Sequence, residues 1–262
     1  MNTSEYVPFL SVMEKLPIKK GDILMVSSDI TNLMCCAIKQ DEKPDLNQFI
    51  DSLIAKVGPG GTLLFPTYNW GFCRGQLFDY NKTKSRTGAL GEVARRRTDF
   101  LRTRHPIYSF AVWGKDKELL YNMTNISSFG ADSPFAYLHK HKAKSLVIDV
   151  ILSHCFTFVH YTEECAMSPY RYFKDFTAEY IDRDGISDHR TYSMFVRDLD
   201  LDVNTNLAPI EEDFKIQKVV SEYLINDISF KMVDLEGCFP IMYDDIKNNR
   251  ARKICSYNGQ NK

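Results

Sequence analysis

No Cys-x-x-Cys pair occurs among the seven cysteines, Cys35, Cys36, Cys73, Cys155, Cys165, Cys238 and Cys255, and their number is odd. A disulfide framework and a paired-cysteine zinc site are therefore disfavoured, and free thiols in a reducing compartment are expected. Long apolar runs are missing as well. Nothing approaches the ~20 residues that a helix needs to cross a bilayer, and MNTSEYVPFLSVMEKL has no basic segment leading into an apolar one. The expectation is a soluble, cytoplasmic protein with no membrane insertion. An excess of one charge is also absent: 33 Lys and Arg face 34 Asp and Glu, so the overall balance does not favour nucleic acid as a partner. The phosphate-binding spacings Gly-x-x-x-x-Gly-Lys-Ser/Thr and Gly-x-Gly-x-x-Gly do not occur. GPGGTLLFPT is by itself a tight turn into a strand.

What is present is a large apolar fraction, 44% of 262 residues, enough for one sizeable core and a single domain over residues 1–262. DILMVSS reads as a buried strand. LNQFIDSLIAKVG spaces Phe49, Leu53 and Val57 at i, i+4, i+8 with Gly58 as a stop, and GTLLFPTY reads as the next strand. GALGEVARRR and PFAYLHKHK read as helices, YSFAVWG and SLVIDVIL as strands. This alternation predicts an α/β sheet covered by helices. After about Arg171 the pattern loosens. TYSMFVRDLDLD and ISFKMVDLEGCFPIMYDDI read as added strands and loops, with residues 177–262 partly a lid or substrate-side region.

Within FVHYTEECAMSPYRYFKDF, His160 and Glu163 stand at i and i+3, on one face of a helix that follows a predicted strand end. A neutral imidazole can take a proton near pH 7 while a carboxylate fixes its tautomer, which makes a general-base pair. A histidine simply satisfied by its helix neighbour has the same spacing. Metal is not expected: His154 and Cys155 lie nearby, yet no His-Glu-x-x-His or paired-cysteine pattern completes a ligand set. Cys155 or Cys165 activated by His160 as a nucleophile ranks lower, because cysteine is so often merely buried. In ARRRTDFLRTRHP, Arg95 to Arg97 suit a solvated helix face. Arg102, Arg104 and His105 in the loop before Ser109 suit a phosphate-bearing ligand, although a plain turn explains Pro106 equally well.

Taken in order, GDILMVSSDI, GPGGTLLFPTY, FDYNKTKSRTGALGEVARRR, RTRHPIYSFAVWG, FGADSPFAYL and CFTFVHYTEE resemble the successive signatures of the aminoglycoside 3-N-acetyltransferase family. The resemblance covers about Gly21 to Phe176. It implies a three-layer α/β/α fold with a mixed, largely parallel central sheet and added C-terminal strands, and transfer of an acyl group from acyl-CoA to a primary amine without a metal. His160 would be the base, Glu163 its partner and Thr157 a neighbour of the thioester. Ser28, Thr67, Arg104, His105 and Ser109 would hold the coenzyme, with Ser133 and Phe135 lining its pantetheine or acyl end. Tyr68, Asp79 and Glu164 would lie on the amine side.

The sequence departs from the family at two places. Ser27 stands in VSSDI where many members have histidine, and Asp149 stands in IDV where many have glycine. Together with ECAMSPYRYFKDF, these departures point to an acceptor other than the antibiotic, namely a nucleotide-linked deoxyamino sugar of surface-polysaccharide (lipopolysaccharide) synthesis. An aminoglycoside remains the alternative. A non-catalytic descendant that binds coenzyme or sugar is a third reading. The expected partner is a small-molecule amine, with a homodimer left open.

Overall fold

The computed structural model describes residues 5–260. Its first strands and helices alternate as β1 (Ile23–Ser28), α1 (Thr31–Lys39), α2 (Leu46–Val57), β2 (Thr62–Pro66), β3 (Phe78–Asp79), α3 (Ala89–Arg96), β4 (Leu101–Arg102) and β5 (Phe110–Gly114). Then come α4 (Lys117–Tyr121), α5 (Pro134–Lys140), β6 (Lys144–Ile148), α6 (Leu152–Cys155) and α7 (Phe158–Cys165). The remainder is β7 (Arg171–Ile181), β8 (Ser187–Arg197), β9 (Asn204–Thr205), α8 (Ala208–Ile216), β10 (Val220–Ile225), β11 (Ile228–Asp234), α9 (Leu235–Asn248) and β12 (Cys255–Ser256).

Among the described residues the central sheet has seven strands in the order β10-β11-β6-β1-β2-β5-β4. It is mixed. The parallel part is its centre, where β1 runs parallel to β2 on one side and to β6 on the other. The pairings β10–β11, β11–β6, β2–β5 and β4–β5 are antiparallel. Side chains alternate between two cores, as a period of two requires. Leu24 and Val26 of β1, Leu63 and Phe65 of β2, and Leu146 and Ile148 of β6 join α2 and α3 in one core. Met25, Leu64 and Val147 point into the other, with α5, α7 and α9. Helices on both faces of one sheet make the three-layer arrangement.

Asp45 begins α2 by accepting the N–H groups of Asn47 and Gln48, and Gly58 ends it at φ 65°, the residue that tolerates such a backbone. ISFKMVDLEGCFPIMYDDI departs from the strands and loops expected of it. Its first part is β11, but the rest is the 14-residue α9, started by Asp234 accepting from Glu236 N–H. Pro240 inside that helix disguised the period, because a proline usually ends a helix. Strands β7 and β8 lie outside the central sheet. They form a long antiparallel ribbon with β3 on its edge, while β10 and β11 extend the central sheet beyond β6.

Candidate active site

β6 ends at Ile148, and the next residue, Asp149, turns the chain at φ 51°. This is the position where the family resemblance expects glycine. The left-handed backbone supplies the reason, and aspartate is among the few other residues that visit it readily. Asn32 Nδ2 donates to its carboxylate at 2.8 Å and its own N–H reaches Ser229 O at 2.8 Å. The turn feeds α6 and then α7, which buries Phe158, Val159, Tyr161, Thr162 and Glu163. His160 and Glu163, one turn apart, meet with Nδ1 and Oε2 at 2.6 Å. Glu163 is fully buried, whereas the His160 side chain keeps 23% of its surface, so the imidazole alone is open to a reactant.

Arg171, the first residue of β7, completes the pair. Its Nε lies 2.7 Å from Glu163 Oε2 and its side chain is 6% exposed, while its Nη2 approaches His160 Nδ1 at 3.0 Å. Nδ1 cannot both donate to the carboxylate and accept from the guanidinium. A carboxylate 2.6 Å from an unprotonated nitrogen would set two acceptors against each other, so Nδ1 carries the proton and donates to Glu163. The Arg171 contact is then electrostatic. Nε2 is left as the open acceptor, the tautomer a general base needs. Burial opposes the charge on Glu163, but Arg171 and His160 outweigh it and hold the carboxyl below its usual range. Burial, reinforced by Arg171 and opposed by Glu163, lowers the His160 pKa below that of free imidazole. The ring is therefore neutral at pH 7.

Three clefts converge on His160. One, of about 390 Å3, opens at the carboxyl ends of β1, β2 and β6, between Ser27, Ser28, Tyr68, Arg86, Gly88 and Thr157. Such a strand-end crevice, where β1 is flanked by strands reached in opposite directions, is where open α/β sheets take ligands. A second, of about 420 Å3, lies against the ribbon and includes Trp70, Tyr108, Arg171, Tyr172, Lys174 and Arg197. A third and smaller one runs between α6 and β9. Cys155 reaches two of these clefts, but burial pushes its thiol up to about 12, which makes it a poor nucleophile at neutral pH.

His160, Thr157, Ser28 and Tyr68 are brought together at the strand-end cleft. Tyr68, expected on the amine side, stands there beside Thr157, and its buried hydroxyl meets no partner in hydrogen-bond geometry. The other expected site residues do not line the three clefts, and each has a local partner instead. Thr67 and Ser109 are buried and bonded to each other at 2.9 Å. His105 is buried; its Nδ1 accepts from Ile107 and Tyr108 N–H, and its ring meets Tyr192 at 4.9 Å. Arg104 lies over Tyr121 at 4.5 Å. Ser133 caps α5 by accepting Ala136 N–H, and Phe135 is fully buried among Tyr68, Tyr108, Phe110 and Phe129. Asp79 accepts from Asn81 and Lys82 N–H in a turn, and Glu164 accepts from the Ser127 hydroxyl at 2.8 Å. Arg102 turns inward too, donating to Ser109, Thr67 and Thr83. Hydroxyls and charges that the sequence offered to a ligand thus hold loops in place.

Sequence reading missed Arg171, Arg86, Trp70, Tyr108, Lys174 and Arg197. Arg171 was visible only as the sole cation of SPYRYF, eight residues past Glu163 on another element. Among the described residues no group of three or more His, Cys, Asp or Glu side chains is placed to hold a metal ion, and no helix is long and apolar enough to cross a membrane.

A profile described as aminoglycoside 3-N-acetyltransferase matches residues 25–244. The chain belongs to the aminoglycoside 3-N-acetyltransferase family. The family is one of CoA-dependent N-acyltransferases, and the fold agrees with it. The chain is similar to aminoglycoside acetyltransferase AAC-IIIb, solved in binary complex with CoASH, at 20% identity and a TM-score of 0.75, covering 93% of this chain and 97% of that one. It is similar to AAC-VIa bound to sisomicin at 19% identity and 0.72, covering 93% and 99%. To YokD from Bacillus subtilis the figures are 18%, 0.73, and 92% and 93%. At these identities the likeness is one of fold. No curated protein sequence matches significantly.

Proposed function

We propose that the protein transfers an acetyl group from acetyl-CoA to a primary amine on an aminated sugar, with His160 as general base. The observation that carries this is the Nδ1–H to Glu163 bond, which leaves Nε2 as a neutral acceptor where the clefts meet. The amine nitrogen attacks the thioester carbonyl carbon and gives its proton to His160 Nε2. As the C–N bond forms the C–S bond breaks, and the imidazolium returns the proton to the departing thiolate. Glu163, kept ionised by Arg171, stabilises the imidazolium in between. The hydroxyls of Thr157 and Tyr68 are the nearest candidates for donors to the carbonyl oxygen as it gains charge. Burial raises the Tyr68 pKa well above its ordinary value, so it stays a donor.

The strand-end cleft suits the coenzyme. Gly88 begins α3 with no side chain capping it, so the first N–H groups are available to phosphate, and Arg86 stands beside them. The amine then comes from the ribbon side. Among acceptors, the comparisons favour an aminoglycoside, since a neighbour of the same fold carries sisomicin. They lend no support to the nucleotide-linked deoxyamino sugar expected from the sequence. An intact dyad speaks against a non-catalytic descendant.

Thiol release from acetyl-CoA with a panel of amines tests the reading. His160→Ala is expected to lose roughly 10²–10⁴-fold in kcat while calorimetry shows acetyl-CoA binding retained. Near-normal turnover in that variant would remove His160 as the base.

A further inference from the structure

The ribbon-side cleft has a charge pattern that the transfer reaction does not require. In the β7–β8 register Arg171 stands directly opposite Arg197, and like charges opposite each other destabilise a ladder. Arg171 is compensated by Glu163. Arg197 is not: among the described residues its Nη1 reaches only the Val203 carbonyl, at 3.5 Å. Lys174, on the same wall, lies 5.6 Å from the centre of the Phe176 ring. Among the described residues neither Lys174 nor Arg197 pairs with a carboxylate, and no Asp or Glu lines this cleft. Its other surfaces are aromatic, including Trp70, Tyr108 and Tyr172. A polycation placed here would meet two uncompensated positive charges, whereas an anion would relieve them.

We propose that the acceptor is an amino sugar that carries phosphate, held with its anion between Lys174 and Arg197, its ring against the aromatic wall and its amine at His160. The inference rests on His160 being the base and names the substrate class of that site. The phosphate can be a sugar phosphate or the diphosphate of a nucleotide-linked sugar, and separate arms of the test distinguish them.

Acetyl-CoA is offered with glucosamine, glucosamine phosphate, a nucleoside-diphosphate-linked amino sugar and sisomicin, with thiol release as the readout. The phosphorylated acceptors are expected to exceed both others by about tenfold or more in kcat/KM, an advantage that shrinks with added salt. Lys174→Ala and Arg197→Ala, both at exposed positions, should each raise KM for the phosphorylated acceptor and leave KM for acetyl-CoA unchanged. Sisomicin as the best acceptor, equal rates across the panel, or a rise confined to the acetyl-CoA KM would each overturn the proposal. Calorimetry of the phosphorylated sugars keeps the two readings apart. Absence of thiol release with every amine, while both variants still bind the phosphorylated sugars more weakly than wild type, sinks the transfer reading and leaves the anion site; equal binding of those sugars by wild type and by both variants sinks this one.

Discussion

Two walls meet at His160, and they are made from different kinds of structure. The strand-end wall comes from β1, β2 and β6, whose residues are nearly all buried between two cores. The ribbon wall comes from β7 and β8, where Tyr172 and Phe173 keep 45% and 48% of their surface. Packing on both faces leaves the first wall little freedom to change, and it holds Thr157, Tyr68 and the helix that bears His160. The ribbon is packed over only part of its length. Its side chains can therefore differ without loss of the core, which is what a surface that selects the acceptor requires.

Arg171 breaks the division, since it starts the ribbon yet serves the dyad. Arg171→Met leaves the fully buried Glu163 without its cation, and removing one partner of a buried pair typically costs about 3–5 kcal/mol. A large drop in Tm is expected. The second expectation separates chemistry from stability: without the nearby guanidinium the His160 pKa rises, so the acid limb of kcat/KM moves to higher pH. Arg171→Lys should recover part of both. An unmoved acid limb in a folded Arg171→Met protein would confine Arg171 to structure and restore the clean division.

The next effect concerns the loop on the sheet side. Burial pushes His105 down to about 3, against about 6.5 for an exposed imidazole. Between those values the unfolded chain binds a proton that the native state does not, so stability rises with pH across that window and is lost as pH falls. From pH 7 to 4.5 this residue alone should cost about 2–3 kcal/mol. Urea unfolding of wild type and His105→Phe at both pH values measures it. The variant should show the smaller pH dependence, and equal dependence would mean that the ring is solvated and free to meet a ligand.

The same contrast explains what could be read from the sequence. β1, β2 and β6 were legible because a strand buried on both faces is a short apolar run with turn residues at its ends, and α2 because Phe49, Leu53 and Val57 repeat at helical spacing. His160 and Glu163 were legible as a local pair. Arg171 was not, since its partner lies across a turn on another element and no spacing rule links them. The ribbon was obscure because RYFKDFTAEYI lacks strict alternation, and α9 because Pro240 interrupts it. Ser109, His105 and Asp79, expected at a ligand, are bonded within their own loops. A hydroxyl, ring or carboxylate that satisfies a loop has the same letter as one that meets a ligand, and only the fold shows which way it turns.

Ser133 gives the smallest and most discriminating case. The family resemblance places it along the coenzyme, whereas its Oγ accepts the N–H of Ala136 at the start of α5. Those two roles predict different losses. An N-cap replaced by alanine typically costs about 1 kcal/mol, a Tm shift of about 2–4 °C for a chain of this size, with KM for acetyl-CoA unchanged. A lost coenzyme contact would raise that KM and leave Tm alone. Ser133→Ala is expected to give the first result and Ser133→Asp, which keeps a capping oxygen, to give neither. If KM rises in both variants while Tm holds, the coenzyme reaches past the strand-end cleft to α5, and the sheet-side wall is longer than β1, β2 and β6 alone.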